Sequence, residues 1–261
     1  MFGVLALSIV VSHTHAIDSN PNEQQRLELL GKVKAAFPIS AYKKKLEKKK
    51  EILQAKFKNP DIVERIALER ELALLQIKLD NYRQYYDETV KLLIEVFLAL
   101  EHFQNDFSPD EYGSAQTALI NGETELANQL LTNIDAKYRV TLGGDGIDRA
   151  ASAVYIQGNI AEDQLDFQKA FRHYRKAVRY DPGNIRYLTA AGKIADSIAL
   201  YSNAIVFYEA ALAIQKKNKE TPRDEIRQLL IKLGKVWESK GDEQKANEYN
   251  QQASETNKKI K

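Results

Sequence analysis

Four alanines, Ala127, Ala170, Ala204 and Ala246, each follow a small residue by the same interval: Ala115, Gly158, Gly192 and Gly234. The steps between copies are 43, 34 and 42 residues. Two copies are complete, Ala170-Tyr174-Ala177 and Ala204-Tyr208-Ala211. Two are weaker, Ala127-Leu131-Ile134 and Ala246-Asn250-Ala253. Self-similarity at this period marks a stacked supersecondary unit. Each unit reads as two antiparallel helices. Where they cross, only Gly or Ala lets the backbones approach, and an aromatic or Leu one turn on fills the space beyond. Pro182-Gly183 cannot continue a helix and so closes a unit. No unit of this kind buries its apolar face alone, so neighbours must stack.

Composition agrees. The 261 residues hold only 12 Gly and 6 Pro, and Ala, Leu, Lys, Glu and Gln dominate, which favours helix throughout. β-branched runs of period two are missing, so almost no sheet is expected. The expected fold is all-α: an N-terminal long-helix hairpin or coiled coil over 23–106, then a solenoid of three to four helix pairs over 108–257. The absence of cysteine excludes disulfides and thiol catalysis. His13, His15, His102 and His173 show no ligand spacing, so no metal is expected. A net charge of +2 gives no general argument for nucleic acid.

The N-terminal half reads differently. MFGVLALSIVVSHTHA has an apolar stretch too short to span a bilayer, which takes roughly 20 residues. It suits a signal peptide over 1–16, although no Lys or Arg precedes it. Export to the periplasm or medium is the expectation if it is one, and a cytoplasmic protein otherwise. Helices are expected over 23–37, ended by Pro38, and over 40–58, with Tyr42, Leu46, Leu53 and Phe57 on one stripe. Asn59 and Pro60 suit the start of the next. That helix reads as continuous from Pro60 to about Asn105. Leu68, Leu72, Leu75, Leu79, Tyr82, Tyr86, Thr89, Leu93, Val96 and Leu100 form a coiled-coil seam along it. The helix over 40–58 can cover part of this seam, and a second copy of the chain could cover the rest as a homo-oligomer. KKKLEKKK, Lys43 to Lys50, reads as a solvated face of that coiled coil rather than a lipid or nucleic-acid site, so neither nucleic-acid nor membrane contact is expected. LGGDGID, 142–148, lacks a preceding strand and a Gly-Lys-Ser/Thr, and reads as a link ending in Asp148 as an N-cap.

The repeats resemble the tetratricopeptide repeat family. Val154, Gly158, Ala161, Ala170, Tyr174, Ala177 and Pro182 sit where the signature W-x2-L-G-x2-Y…A-x3-F-x2-A…P has its positions. The next unit matches through Leu188, Gly192, Ala195, Ala204, Tyr208 and Ala211. The last matches through Leu230, Leu233, Gly234, Trp237, Ala246 and Ala253. Val154 and Leu188 replace the signature Trp, and Asn250 replaces the aromatic. The units run 151–184, 185–218 and 223–257, with a degenerate cap over 108–141. The longer step resembles the repeats of kinesin light chain-like bacterial proteins.

The resemblance implies a groove lined by the first helix of each unit that binds an extended peptide or helix. The positions projected onto it are Tyr155, Asn159 and Glu162, then Arg186, Thr189, Lys193 and Asp196, then Gln228, Lys232, Lys235 and Glu238. Arg186, Lys193, Lys232 and Lys235 would form a basic strip beside Asn159. Asn can hold a peptide backbone, and Lys or Arg can meet carboxylates. The chaperone-type carboxylate clamp is only partly met, because Tyr155 stands where that clamp has Lys. The alternative is that these are ordinary solvated helix positions. No catalytic residues, cofactor or metal are expected, since no nucleophile stands with a base and the carboxylates are spread along helix surfaces. The expected function is a non-catalytic scaffold or adaptor binding a peptide segment, with an acidic one the best fit. The alternative is an accessory or regulatory subunit of an envelope or signalling complex, assembled through the coiled coil.

Overall fold

The computed structural model describes residues 23–57, 62–140, 144–218 and 222–258. The segment 1–16 and the Asn59-Pro60 junction lie outside them. Among the described residues there are twelve α-helices, one short 3-10 turn and no strand. The first four are α1 (Glu23–Ala36), α2 (Ile39–Lys56), α3 (Ile62–Asp80) and α4 (Tyr82–His102). Eight more follow as pairs: α5 (Pro109–Ile120) with α6 (Glu125–Tyr138), α7 (Asp145–Asp163) with α8 (Phe167–Tyr180), α9 (Ile185–Ser197) with α10 (Tyr201–Lys217), and α11 (Arg223–Lys240) with α12 (Glu243–Lys258). Each pair packs internally and against the next, as in a helical repeat.

The crossings hold the small residues. A Cβ on Gly192 would stand 2.8 Å from the Tyr208 ring, and one on Gly158 would enter the Tyr174 ring. At Gly234 the obstacle is the Asn250 side chain. The first pair uses Ala115 and Leu131, both fully buried.

The turn inside each pair is equally regular. Gly122, Leu165, Ala199 and Gly241 all adopt the left-handed conformation, φ +77°, +61°, +60° and +89°. Each closes a Schellman cap. At Leu165, its own N–H donates to the Glu162 carbonyl and that of Asp166 to Ala161; at Ala199 the acceptors are Asp196 and, from Leu200, Ala195. The end units place Gly at this position, and the middle units place a side chain that strains it. Ala199→Gly is therefore expected to stabilise the chain by about 0.5–1 kcal/mol, and Ala199→Val to destabilise it. Urea midpoints of the two variants against the parent check this.

Several expectations from the sequence are corrected. The helix from Pro60 to Asn105 is not continuous: it breaks at Asn81, φ −114° and ψ 30°. The Asn81 amide donates to the Ile77 carbonyl at 3.0 Å, the kind of local bond by which Asn competes with the helix. The seam is therefore two faces. Leu68 and Leu75 are buried where α3 meets α2, while Tyr86, Thr89, Leu93, Val96 and Leu100 are buried where α4 meets α1, α2 and the first repeats. α7 starts at Asp145, so Asp148 lies within its first turn rather than capping it.

A further correction concerns the lysine run, which is not merely solvated. Lys45 Nζ donates to the Gly122 carbonyl at 3.1 Å, and Lys49 Nζ donates to the Gln164 carbonyl. Lys78 joins them: buried at 8% exposure, it donates to the Asp163 carbonyl at 2.8 Å. Helix C-termini carry unpaired carbonyls and a partial negative charge, so ammonium groups are favoured there. α2 and α3 thus grip the ends of α5 and α7.

Candidate peptide-binding groove

The exposed polar positions of α7, α9 and α11 share one face, positioned by the crossings beneath it. Tyr174 and Tyr208 come from the second helices of their units, pass over Gly158 and Gly192, and deliver their rings to this face. The Tyr174 hydroxyl lies 2.8 Å from both Asn159 Oδ1 and Glu162 Oε2. Burial, with the Glu162 charge beside it, pushes the Tyr174 phenol well above its ordinary range, so it stays a neutral donor.

Neighbouring units are tied across the face. Lys193 Nζ stands 2.5 Å from Glu162 Oε1. Arg186 Nε donates to the Tyr155 hydroxyl at 3.0 Å, and its guanidinium lies 4.7 Å from the centre of the same ring. Tyr155 packs on Tyr187 at 4.9 Å and on Tyr174 at 5.5 Å between ring centres. Lys232 lies half-buried with its Nζ 5.8 Å from the Tyr208 ring centre. Burial, and then the charge of Lys193, push its pKa down. Burial pushes Asp196 up, opposed by the charge of Lys235.

The structure therefore brings together Tyr155, Asn159, Arg186, Lys193, Lys232 and Lys235, with Glu162 and Asp196 among them. Thr189 and Gln228 lie on the same helices, but no hydrogen bond or ion pair joins them to the cluster among the described residues. The strip differs from the projected one in two ways. Arg186 and Lys193 are already engaged by Tyr155 and Glu162. Asn159 Oδ1 shares the single Tyr174 hydroxyl proton with Glu162 Oε2, and the Asn159 amide protons remain for a ligand backbone. Sequence reasoning missed Tyr187, which sits beside Arg186 in the chain and floors the Tyr155 ring. It also placed Tyr174 and Tyr208 only as packing residues. Among the described residues no group of acidic or His side chains has the arrangement of a metal site. No helix there is long and apolar enough to cross a membrane.

No known family profile matches the chain, and no curated relative matches it. Solved structures similar to it include the following two. The N-terminal domain of stress-induced protein-1 (STI-1) from C. elegans is 23% identical, with a TM-score of 0.39 over 43% of this chain and 88% of that one. BtubC (BKLC) from P. vanneervenii is 20% identical, with a TM-score of 0.46 over 91% of both chains.

Proposed function

We propose that the chain is a non-catalytic protein-interaction scaffold that binds an acidic peptide segment along the face of α7, α9 and α11. The observation that supports this most is Lys232. Its ammonium is half-buried, has no carboxylate partner among the described residues, and faces the like charge of Lys193. A desolvated cation beside another cation is an unfavourable arrangement in the free protein. A ligand carboxylate seated on Lys232 would relieve it, while the Asn159 amide meets the peptide backbone.

The test uses a fluorescein-labelled peptide rich in Asp and Glu, with a free C-terminus or an amidated one, titrated with the protein. Lys232→Glu is expected to weaken binding by about tenfold or more, because it replaces a charge-assisted contact with a repulsion. Equal binding by the parent and Lys232→Glu would sink this reading. Loss on amidation alone would assign the contact to the C-terminal carboxylate; equal binding of both forms would assign it to acidic side chains.

A further inference from the structure

A second surface lies away from that face. A cleft of about 860 Å³ separates the α2–α3 pair from the turn tips of the α7–α8 and α9–α10 units. α2 lines it from Tyr42 to Lys56, a length of about 21 Å at the rise of an α-helix. The floor is apolar, with Leu53, Leu74, Leu165 and Ile198 joined by Ile52 and Ile66. Ile52 is 52% exposed and Ile66 49%. They are not needed to join α2 to α3, since Leu68 and Leu75 are buried on another side of α3. α3 is apolar on more than one side, the pattern of a helix meant to be covered on more than one side.

The rim carries uncommitted positive charge. Its acids are engaged: Glu71 pairs with Lys49 at 3.2 Å, and Asp163 with Lys78 and with the Thr89 hydroxyl. Asp166 caps α8 by accepting from the Lys169 N–H. Lys48, Lys56 and Arg70 line the same cleft, are exposed, and have no hydrogen bond or ion pair among the described residues.

We infer that this cleft seats an amphipathic helix of a partner protein whose apolar stripe is flanked by acidic residues. The length suits about four helical turns, the floor takes the apolar stripe, and the three free cations take the flanks. A second copy of the chain fits poorly, because a two-fold contact sets Lys48, Lys56 and Arg70 against themselves. A bilayer fits poorly too, because the apolar residues line a concavity and a flat interface needs them on a protruding face.

The test uses a fluorescein-labelled synthetic helix of about 14 residues, with Leu at i, i+4, i+7 and i+11 and Glu on both flanks. A peptide of the same composition with scrambled order is the control. The patterned peptide is expected to bind saturably and the scrambled one not. Ile66→Asp, and separately Lys48→Glu/Lys56→Glu/Arg70→Glu, should each weaken binding by about tenfold. All four positions are exposed, so circular dichroism melts should match the parent. Lys193→Glu/Lys232→Glu should leave binding unchanged, which keeps this site separate from the groove. No binding by the patterned peptide overturns the inference, as does equal binding by the scrambled peptide or indifference to the cleft variants. Two further results would reassign the cleft and overturn it: a dimer in sedimentation that Ile66→Asp abolishes, or phosphatidylglycerol vesicles that displace the peptide.

Discussion

Gly158→Leu is expected to destabilise the chain by about 3 kcal/mol or more, a loss large enough to shift the urea midpoint of the whole repeat array. The reason is that nothing near Gly158 can yield. A Cβ there enters the Tyr174 ring, and that ring is almost fully buried. Its hydroxyl is held by Asn159 and Glu162, and its face is packed by Tyr155. Overpacking normally relaxes by moving a side chain, and here the side chain is fixed at both ends. Gly192→Leu should have the same sign and a smaller size, because no hydrogen bond holds the Tyr208 hydroxyl among the described residues. Gly113→Leu should change little, since a Cβ there meets nothing within 4 Å. Urea denaturation of the three variants checks the order. A Gly158→Leu variant as stable as Gly113→Leu would show that the α7–α8 crossing is not where the structure puts it.

Asp163→Ala is expected to cost about 2 kcal/mol. The Asp163 side chain accepts from Thr89 at 2.7 Å and stands 3.4 Å from Lys78 Nζ. Removing it leaves a buried ammonium with only the backbone carbonyl of residue 163, and strands a hydroxyl. The cost stays below that of a fully buried pair because the Asp163 side chain keeps 25% of its exposure. Lys78→Met combined with Asp163→Leu should cost less than the two single changes added together, since each single change leaves one charge uncompensated. Strict additivity in thermal or urea unfolding would mean that the two groups act separately and that α3 is not fastened to α7 through them.

The repeats were legible because their signals are local and recurrent. Gly158 and Gly192 announce crossings, Pro182-Gly183 announces a boundary, and Tyr174 and Tyr208 fall at the expected interval. The groove positions followed from that frame, and six of the eight come together. What the frame could not give was how they spend their hydrogen bonds: the Asn159 oxygen goes to Tyr174 within its own unit, and Lys193 goes to Glu162 across units, a pairing set by how far one unit rotates on the next. The first half was harder to read. Its four-three apolar spacing looks the same whether the cover comes from another copy or from helices later in the chain. The break at Asn81 depends on a side chain that can cap or continue a helix with almost equal ease. The cleft beneath α2 had no sequence signal, because Leu165 and Ile198 come from turns far along the chain from Ile52 and Ile66.

The lysine contacts to helix ends have a mechanical consequence. Lys45, Lys49 and Lys78 act as struts between the N-terminal helices and the tips of the first two repeat units, at Gly122, Gln164 and Asp163. The corresponding tips at Ala199 and Gly241 carry no such strut among the described residues. Torsional stiffness is therefore graded along the solenoid: the pitch is clamped through α7, and beyond it each unit is held only by its neighbour. Winding or unwinding of the solenoid falls to α9 through α12. The Lys193–Glu162 and Arg186–Tyr155 contacts straddle the boundary, so they would be the first to strain when the free end turns.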